Sequence, residues 1–185
     1  MRRHTKWYPA AVLVLLVGCA THYYYSPGVY PIAEGKIQPF PVGGPVEIVN
    51  AQSISDRENV IARLPRGSKA PWMMGDLQQI TQALINQLSG EIEKRGGRVE
   101  SPSPKQMRVA VTKVAVNQGL WTLNVELALT LQLADRPARS ITIENRSPGN
   151  VWRALNGAIA VSVIRLLGDE DVLQFLAAPP DAPQL

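Results

Sequence analysis

Residues 121–133 read Trp-Thr-Leu-Asn-Val-Glu-Leu-Ala-Leu-Thr-Leu-Gln-Leu, with a large apolar side chain at every second position. Successive side chains of a β-strand point to opposite faces of the sheet, so this alternation puts all the large apolar residues on one face. A strand with one buried and one wetter face is typical of an antiparallel sheet covered by helices on one side. This segment therefore indicates the fold class.

Further strands are predicted on both sides of it. Met107–Val116 is rich in valine, and Asn117-Gln118-Gly119 after it reads as a hairpin turn. Ile141–Glu144 is a second partner strand, and Val46–Val49 and Val60–Leu64 are shorter strand candidates nearer the N-terminus. Together they predict a mainly antiparallel sheet.

A first amphipathic helix is predicted to begin after Asp76, whose carboxylate can accept hydrogen bonds from the free backbone amides of the first turn. Lys94-Arg95 suit the end of the helix dipole, and Gly96-Gly97 end the helix. The apolar positions recur every three or four residues and form one stripe: Leu77, Ile80, Leu84, Leu88 and Ile92.

A second helix is predicted over Val151–Leu167, with Asn150 as its N-cap and Gly168 as its stop. It is apolar nearly all round, so either it lies deep in the domain or a second subunit covers its outer side. Residues 169–176 add a last helical turn or two. The expected fold is α+β, a mainly antiparallel sheet with two helices packed on one face, in a single domain over residues 46–176.

The N-terminus has the layout of a secretory signal. Arg2, Arg3 and Lys6 are followed by an uncharged apolar run, Ala10–Val17, which is far shorter than the roughly 20 residues of a membrane-spanning helix. The run ends in Leu16-Val17-Gly18-Cys19, which resembles the lipobox of bacterial lipoproteins and contains the only cysteine of the chain.

The lipobox resemblance implies a function for residues 1–19. Residues 1–18 would be a signal peptide cut between Gly18 and Cys19, and Cys19 would carry a diacylglyceryl group and an acylated amino terminus. Two or more acyl chains anchor a protein stably. Ala20-Thr21 stand where aspartate would signal inner-membrane retention, so the resemblance favours the outer membrane, with the domain facing the periplasm or, alternatively, the cell surface.

The next segment, residues 19–45, is expected to be a tether, because it combines Tyr23-Tyr24-Tyr25 with five prolines. The tyrosines have two interpretations that the sequence leaves open: contact with the membrane interface, or docking on a partner or on the protein's own sheet. At the other end, residues 177–185 are expected to be a disordered tail.

Composition excludes several classes of function. Removal of residues 1–18 leaves 16 basic residues against 15 acidic ones, about +1, so no nucleic-acid partner is expected. His22 would be the only histidine of the mature chain, which rules out a His–Cys zinc set and a serine–histidine–aspartate triad. No metal, cofactor or catalytic residue is predicted. Glu126 and Glu144 are possible neighbours on the wet sheet face, where a solvated ion pair with an arginine is expected in preference to acid–base chemistry.

Over residues 46–176 the chain resembles the YajG family of small bacterial lipoproteins in element order, in the run from Asp76-Leu77 to Arg95-Gly96-Gly97, and in the closing residues 171–176. This family has no established activity, so the resemblance implies a non-enzymatic accessory or binding component of the cell envelope. The chain also resembles PqiC-like auxiliary lipoproteins of ABC-type transport systems, which implies an oligomeric subunit for lipid or polymer export. An envelope hydrolase is the third, weakest expectation.

Overall fold

The computed structural model describes residues 22–52, 55, 59–63 and 72–179. Within them, seven strands form one sheet and three helices pack against it. The strands are β1 (Tyr23–Tyr25), β2 (Glu47–Asn50), β3 (Val60–Arg63), β4 (Trp72–Gly75), β5 (Gln106–Gln118), β6 (Leu123–Leu133) and β7 (Arg139–Ser147). The helices are α1 (Leu77–Glu93), α2 (Val151–Leu166) and α3 (Glu170–Ala177).

The α+β class is confirmed, but the sheet is mixed and the prediction of a mainly antiparallel sheet is wrong. The strand order is β1-β4-β3-β5-β6-β7, and β2 pairs with β5 beside this path. The β5-β6-β7 meander and the β3-β4 pair are antiparallel. Three pairs are parallel: β1 with β4, β2 with β5, and β3 with β5. Parallel partners need long connections, and these strands are joined through α1 or through long segments that local patterning does not reveal.

The meander contains a bulge that explains the pattern of valines in β5. Its register with β6 shifts between Val111 and Lys113. Met107 and Val109 lie on the buried face before the shift, and Val114 and Val116 lie on it after the shift. One extra residue therefore moves the apolar positions from odd to even numbers and keeps the same face of the sheet buried.

The first helix follows its predicted pattern. The Asp76 side chain accepts from the backbone N–H of Gln78, and Leu84, Leu88 and Ile92 of the stripe are fully buried. Thr81 lies on the same face, and its hydroxyl accepts from the backbone N–H of Val111, which ties α1 to β5. The predicted helix cap and the predicted buried face are both confirmed.

The second helix is buried by its own domain. Its side-chain cap at Asn150 is confirmed by a 2.8 Å bond from the Arg153 backbone N–H. Ala154, Ala158 and Val163 are fully buried between α1 and the β6-β7 strands. The chain thus buries most of α2 itself, while Trp152 in the first turn of the helix remains 38% exposed. The two predicted helices share one sheet face, with α3 added at their end.

Residues 22–45 of the segment predicted as a tether belong to the folded domain. Within it, Tyr23–Tyr25 form β1, which pairs with β4 in parallel register, and Ile37 is buried in the core. Residues 26–45, called the strap below, cross the helices. Near the end of the strap, the Gly43 N–H donates to the Leu176 carbonyl at 2.8 Å. Prolines prevent regular pairing along the strap but do not prevent side-chain packing.

Candidate functional site

One end of the sheet collects exposed aromatic and apolar side chains. The β5-β6 turn carries Leu120 and Trp121, which are 87% and 85% exposed. Trp152 in the first turn of α2 contacts the Tyr23 ring edge-on at 6.4 Å, and Trp72 in β4 contacts the His22 ring at 6.5 Å. The aromatic rim is defined here as Tyr23, Trp72, Leu120, Trp121 and Trp152.

The strand registers place the rim residues at a common end. Trp72 pairs with Arg63 while the preceding Ala62 pairs with Val116, which is close to the C-terminal end of β5. The β5-β6 turn follows directly, because Gln118 pairs with Leu123. Leu123 in turn pairs with Ser147 at the end of β7, immediately before α2. The sheet thus brings together residues that are far apart in sequence.

The three consecutive tyrosines have different environments. Tyr25 is buried, and its hydroxyl donates to Asn156 Oδ1 of α2 at 2.6 Å. Burial raises the pKa of the Tyr25 hydroxyl above its ordinary value, so this group remains a donor. Tyr23 and Tyr24 are exposed. Docking on the protein's own sheet, one of the two interpretations of the cluster, therefore holds for Tyr25.

The strap lies between two open grooves. The groove against α1, of about 300 Å³, is bounded by Tyr30, Ile32 and the α1 residues Gln87 and Glu91. The groove against α2, of about 310 Å³, shares Tyr30 and Ile32 and continues to Val161 and Ile164 of that helix. Gln87 Nε2 donates to the Tyr30 carbonyl at 2.6 Å, which holds the strap between the grooves.

An ionic cluster fixes the far part of the strap to α1. Glu91 receives Lys94 Nζ at 2.6 Å and Arg95 Nη1 at 2.7 Å, and Arg95 also lies over the Phe40 ring at 6.0 Å. Burial raises the pKa of Glu91, but the hydrogen bonds and charges of the two cations outweigh it and leave the pKa below its ordinary value. The carboxylate therefore stays ionised and serves as a structural anchor.

A buried lysine closes the C-terminal end of α3. Lys105 is fully buried, and its Nζ donates to the carbonyls of Leu176 and Ala178 at 2.8 and 2.7 Å while lying 5.5 Å from the Phe175 ring centroid. Burial lowers the pKa of its ammonium group. Ala178 lies in the predicted tail, so the folded domain extends past its predicted end at residue 176.

The open face of the sheet carries the predicted carboxylate pair. Glu126 and Glu144 are register partners on β6 and β7, as the sequence indicated. Lys113 Nζ lies 2.8 Å from Glu126 Oε1, so the expected ion pair forms, but its cation is a lysine and the prediction of an arginine is wrong. They border a cleft of about 220 Å³ next to Asn124, whose buried Oδ1 has no hydrogen-bond partner among the described residues.

Gly18 and Cys19, the predicted cleavage and lipidation residues, lie outside the described residues. Sequence reasoning also missed β4 and the aromatic rim. The available signal was the placement of tryptophan: of the four in the chain, Trp7 is in the predicted signal peptide and the other three are all in the rim.

In the part of the chain that the structure describes, no group of three His, Cys, Asp or Glu side chains is arranged to hold a metal ion. Among the same residues, no single helix is long and apolar enough to span a bilayer. Helices α2 and α3 reach that length and apolarity only when they are taken together, and they are bent by 64° relative to each other.

Comparisons with known proteins give only weak structural neighbours. No family model matches the chain, and no curated protein matches it. The structure is similar to protein XCC0632 from Xanthomonas campestris, of family DUF330, with 16% identity and a TM-score of 0.44 over 84% of this chain and 94% of that one. An uncharacterized protein gives 14% identity and a TM-score of 0.44, over 80% of this chain and 95% of that one. A neuraminyllactose-binding hemagglutinin homolog from Helicobacter pylori gives 15% identity and a TM-score of 0.35, over 80% of this chain and 96% of that one.

Proposed function

We propose that this chain is an outer-membrane-anchored periplasmic lipoprotein that acts as a non-catalytic accessory or binding component of the cell envelope. One observation carries the proposal: the lipobox cysteine, Cys19, precedes β1 by only four positions, and β1 is built into the sheet. The anchor would therefore hold the folded domain directly at the membrane surface. Its partner would be an envelope protein within reach of that surface.

Anchoring is tested with a Cys19→Ala variant of the full chain. We expect the precursor to remain uncleaved and to be missing from the outer-membrane fraction, because the acylated thiol is the proposed anchor. Thr21→Ala, which keeps Leu16-Val17-Gly18-Cys19 intact, is the control and should be processed normally. Normal processing and sorting of Cys19→Ala would refute the proposal.

Localisation is tested with Ala20→Asp, which puts aspartate at the position after the cysteine. By the lipobox resemblance, this variant should be acylated and cleaved like the natural chain but should shift to the inner-membrane fraction. Unchanged outer-membrane sorting would mean that the residue at position 20 does not direct this protein.

A second candidate function is an oligomeric auxiliary subunit of an ABC-type lipid or polymer export system. The observation that favours it is β7, a nine-residue strand at the outer edge of the sheet with β6 as its sole partner among the described strands. Exposed edges of this length are able to pair with another chain. Light scattering on the detergent-solubilised lipidated protein decides: a defined oligomer that Thr142→Lys disrupts supports this function, and a monomer at every concentration opposes it.

A further inference from the structure

The aromatic rim is unusual in its exposure. Tryptophan and tyrosine normally bury most of their large apolar surface, and a compact group of exposed apolar residues marks an interaction surface. Trp72 and Trp152 retain 40% and 38% exposure, and Leu120 and Trp121 are almost fully exposed. Leu120 and Trp121 lie at the tip of a tight turn, in which the Gly119 N–H donates to the Thr122 carbonyl at 2.7 Å.

The residue types in the rim fit a membrane interface. Tryptophan and tyrosine rings are amphipathic and are enriched at the headgroup level of a bilayer, where one edge contacts hydrocarbon and the polar group stays hydrated. Outside the predicted signal peptide, every tryptophan of the chain lies in this rim. Arg146 and Arg153 are exposed at the same end, next to the β7-α2 connection, where they would face lipid phosphates.

The position of the rim relative to the proposed anchor identifies its occupant. Four residue steps separate Cys19 from Tyr23, and an extended chain covers at most about 3.5 Å per residue, so the two lie within about 14 Å of each other. The headgroup layer on each side of a bilayer is about 5–8 Å thick. A domain held by acyl chains at Cys19 therefore has its aromatic end within reach of that layer.

We propose that the aromatic rim inserts into the interfacial layer of the outer membrane and fixes the orientation of the domain on the bilayer. This inference rests on the proposed lipid anchor. It adds a second contact, made by side chains, that sets which end of the sheet faces the lipid.

Intrinsic fluorescence tests the inference, because cleavage of residues 1–18 would leave only rim tryptophans. The processed full chain is reconstituted into vesicles of phosphatidylcholine and phosphatidylglycerol, with or without acyl chains brominated near the headgroup. We expect bromine to reduce emission at least twofold. Trp121→Ser should lose the largest part of the quenched signal, since Trp121 is the most exposed of the three.

The matched control for a change in exposed apolar surface is Val29→Ser, since Val29 is 87% exposed, like Leu120, but lies in the strap. Leu120→Ser should reduce the quenching of the remaining tryptophans, whereas Val29→Ser should leave it unchanged. Equal effects of these two variants, or no quenching by any brominated lipid, would overturn the inference.

Mass spectrometry of the same sample separates the two proposals. An acylated protein whose tryptophans are unquenched retains the anchor and refutes the rim contact, which would then be a surface for a protein partner or a second copy. A protein without acyl groups whose tryptophans are quenched refutes the anchor and supports the rim contact. Unquenched tryptophans in a non-acylated protein refute both.

Discussion

Lys105 shows how a charged residue can close a core. Its ammonium group satisfies two carbonyls at the end of α3 that the helix itself leaves without partners. Gly43 adds a backbone bond to the same Leu176 carbonyl. These hydrogen bonds join the strap, the start of β5 and the end of α3 at one point. The sequence does not predict them, because a single lysine before a strand is normally expected to be exposed to solvent.

We predict that Lys105→Met destabilises the domain by about 2 kcal/mol, because two buried carbonyls lose a charged donor. Urea unfolding of the processed chain measures the change. Lys113→Met is the control: Lys113 pairs with Glu126 on the open sheet face and is largely exposed, so its loss should cost at most about 1 kcal/mol. Equal losses in both variants would contradict the structural role of Lys105.

At the scale of elements, the sequence predicts most strands and all three helices, and it fails for the two short strands β1 and β4. The β6 alternation, the α1 stripe and the caps at Asp76 and Asn150 are visible because each repeats a period or places a specific residue at a helix end. Strands β1 and β4 have only three and four residues. They pair with each other across 50 positions of sequence, Tyr23 with Met73, and no local period encodes that pairing.

The link between β1, the strap and α2 depends on Asn156. Its Oδ1 accepts from both the Tyr25 hydroxyl and the Gly28 backbone N–H. We predict that Asn156→Ala loosens residues 22–30 and costs about 2 kcal/mol, since two donors lose their acceptor. Hydrogen exchange should accelerate in that segment. Asn86→Ala, at an exposed position of α1, is the control and should leave exchange there unchanged.

At the scale of the whole molecule, stability should fall in acid. Glu91 and Asp169 both have a pKa below the ordinary carboxyl value, although burial raises the pKa of each. For Glu91, the hydrogen bonds and charges of Lys94 and Arg95 outweigh burial. For Asp169, the Arg139 side chain and the Val172 N–H do so. Their stabilisation is present above the unfolded carboxyl pKa of about 4 and is lost as pH falls through the lower folded values.

We therefore predict that the melting temperature falls between about pH 5 and pH 3, and that Glu91→Gln lowers it at pH 7 and makes its fall in acid shallower. Thermal unfolding across this range measures both effects. Glu93→Gln, at an exposed position in the same helical turn, should reproduce the natural profile. An unchanged acid slope in Glu91→Gln would show that its ion pairs do not contribute.

The candidate site was less predictable than the fold. Cys19 is recognisable because a short motif marks it. The rim instead depends on Trp72, Trp121 and Trp152 meeting through a mixed sheet, and the parallel pairings that create this meeting cannot be read from periodicity. Two properties were visible beforehand: the restriction of tryptophan to a few positions, and the tyrosine run that includes Tyr23.

The Tyr25–Asn156 hydrogen bond joins residues 131 positions apart, and this sets a time order for biogenesis. If the chain is exported N-terminus first, as the proposed function requires, β1 lacks this contact until α2 has followed it out of the cytoplasm. The proposed acylation of Cys19 would then take place on a chain whose first strand is not yet held by α2, and completion of the fold would come after modification.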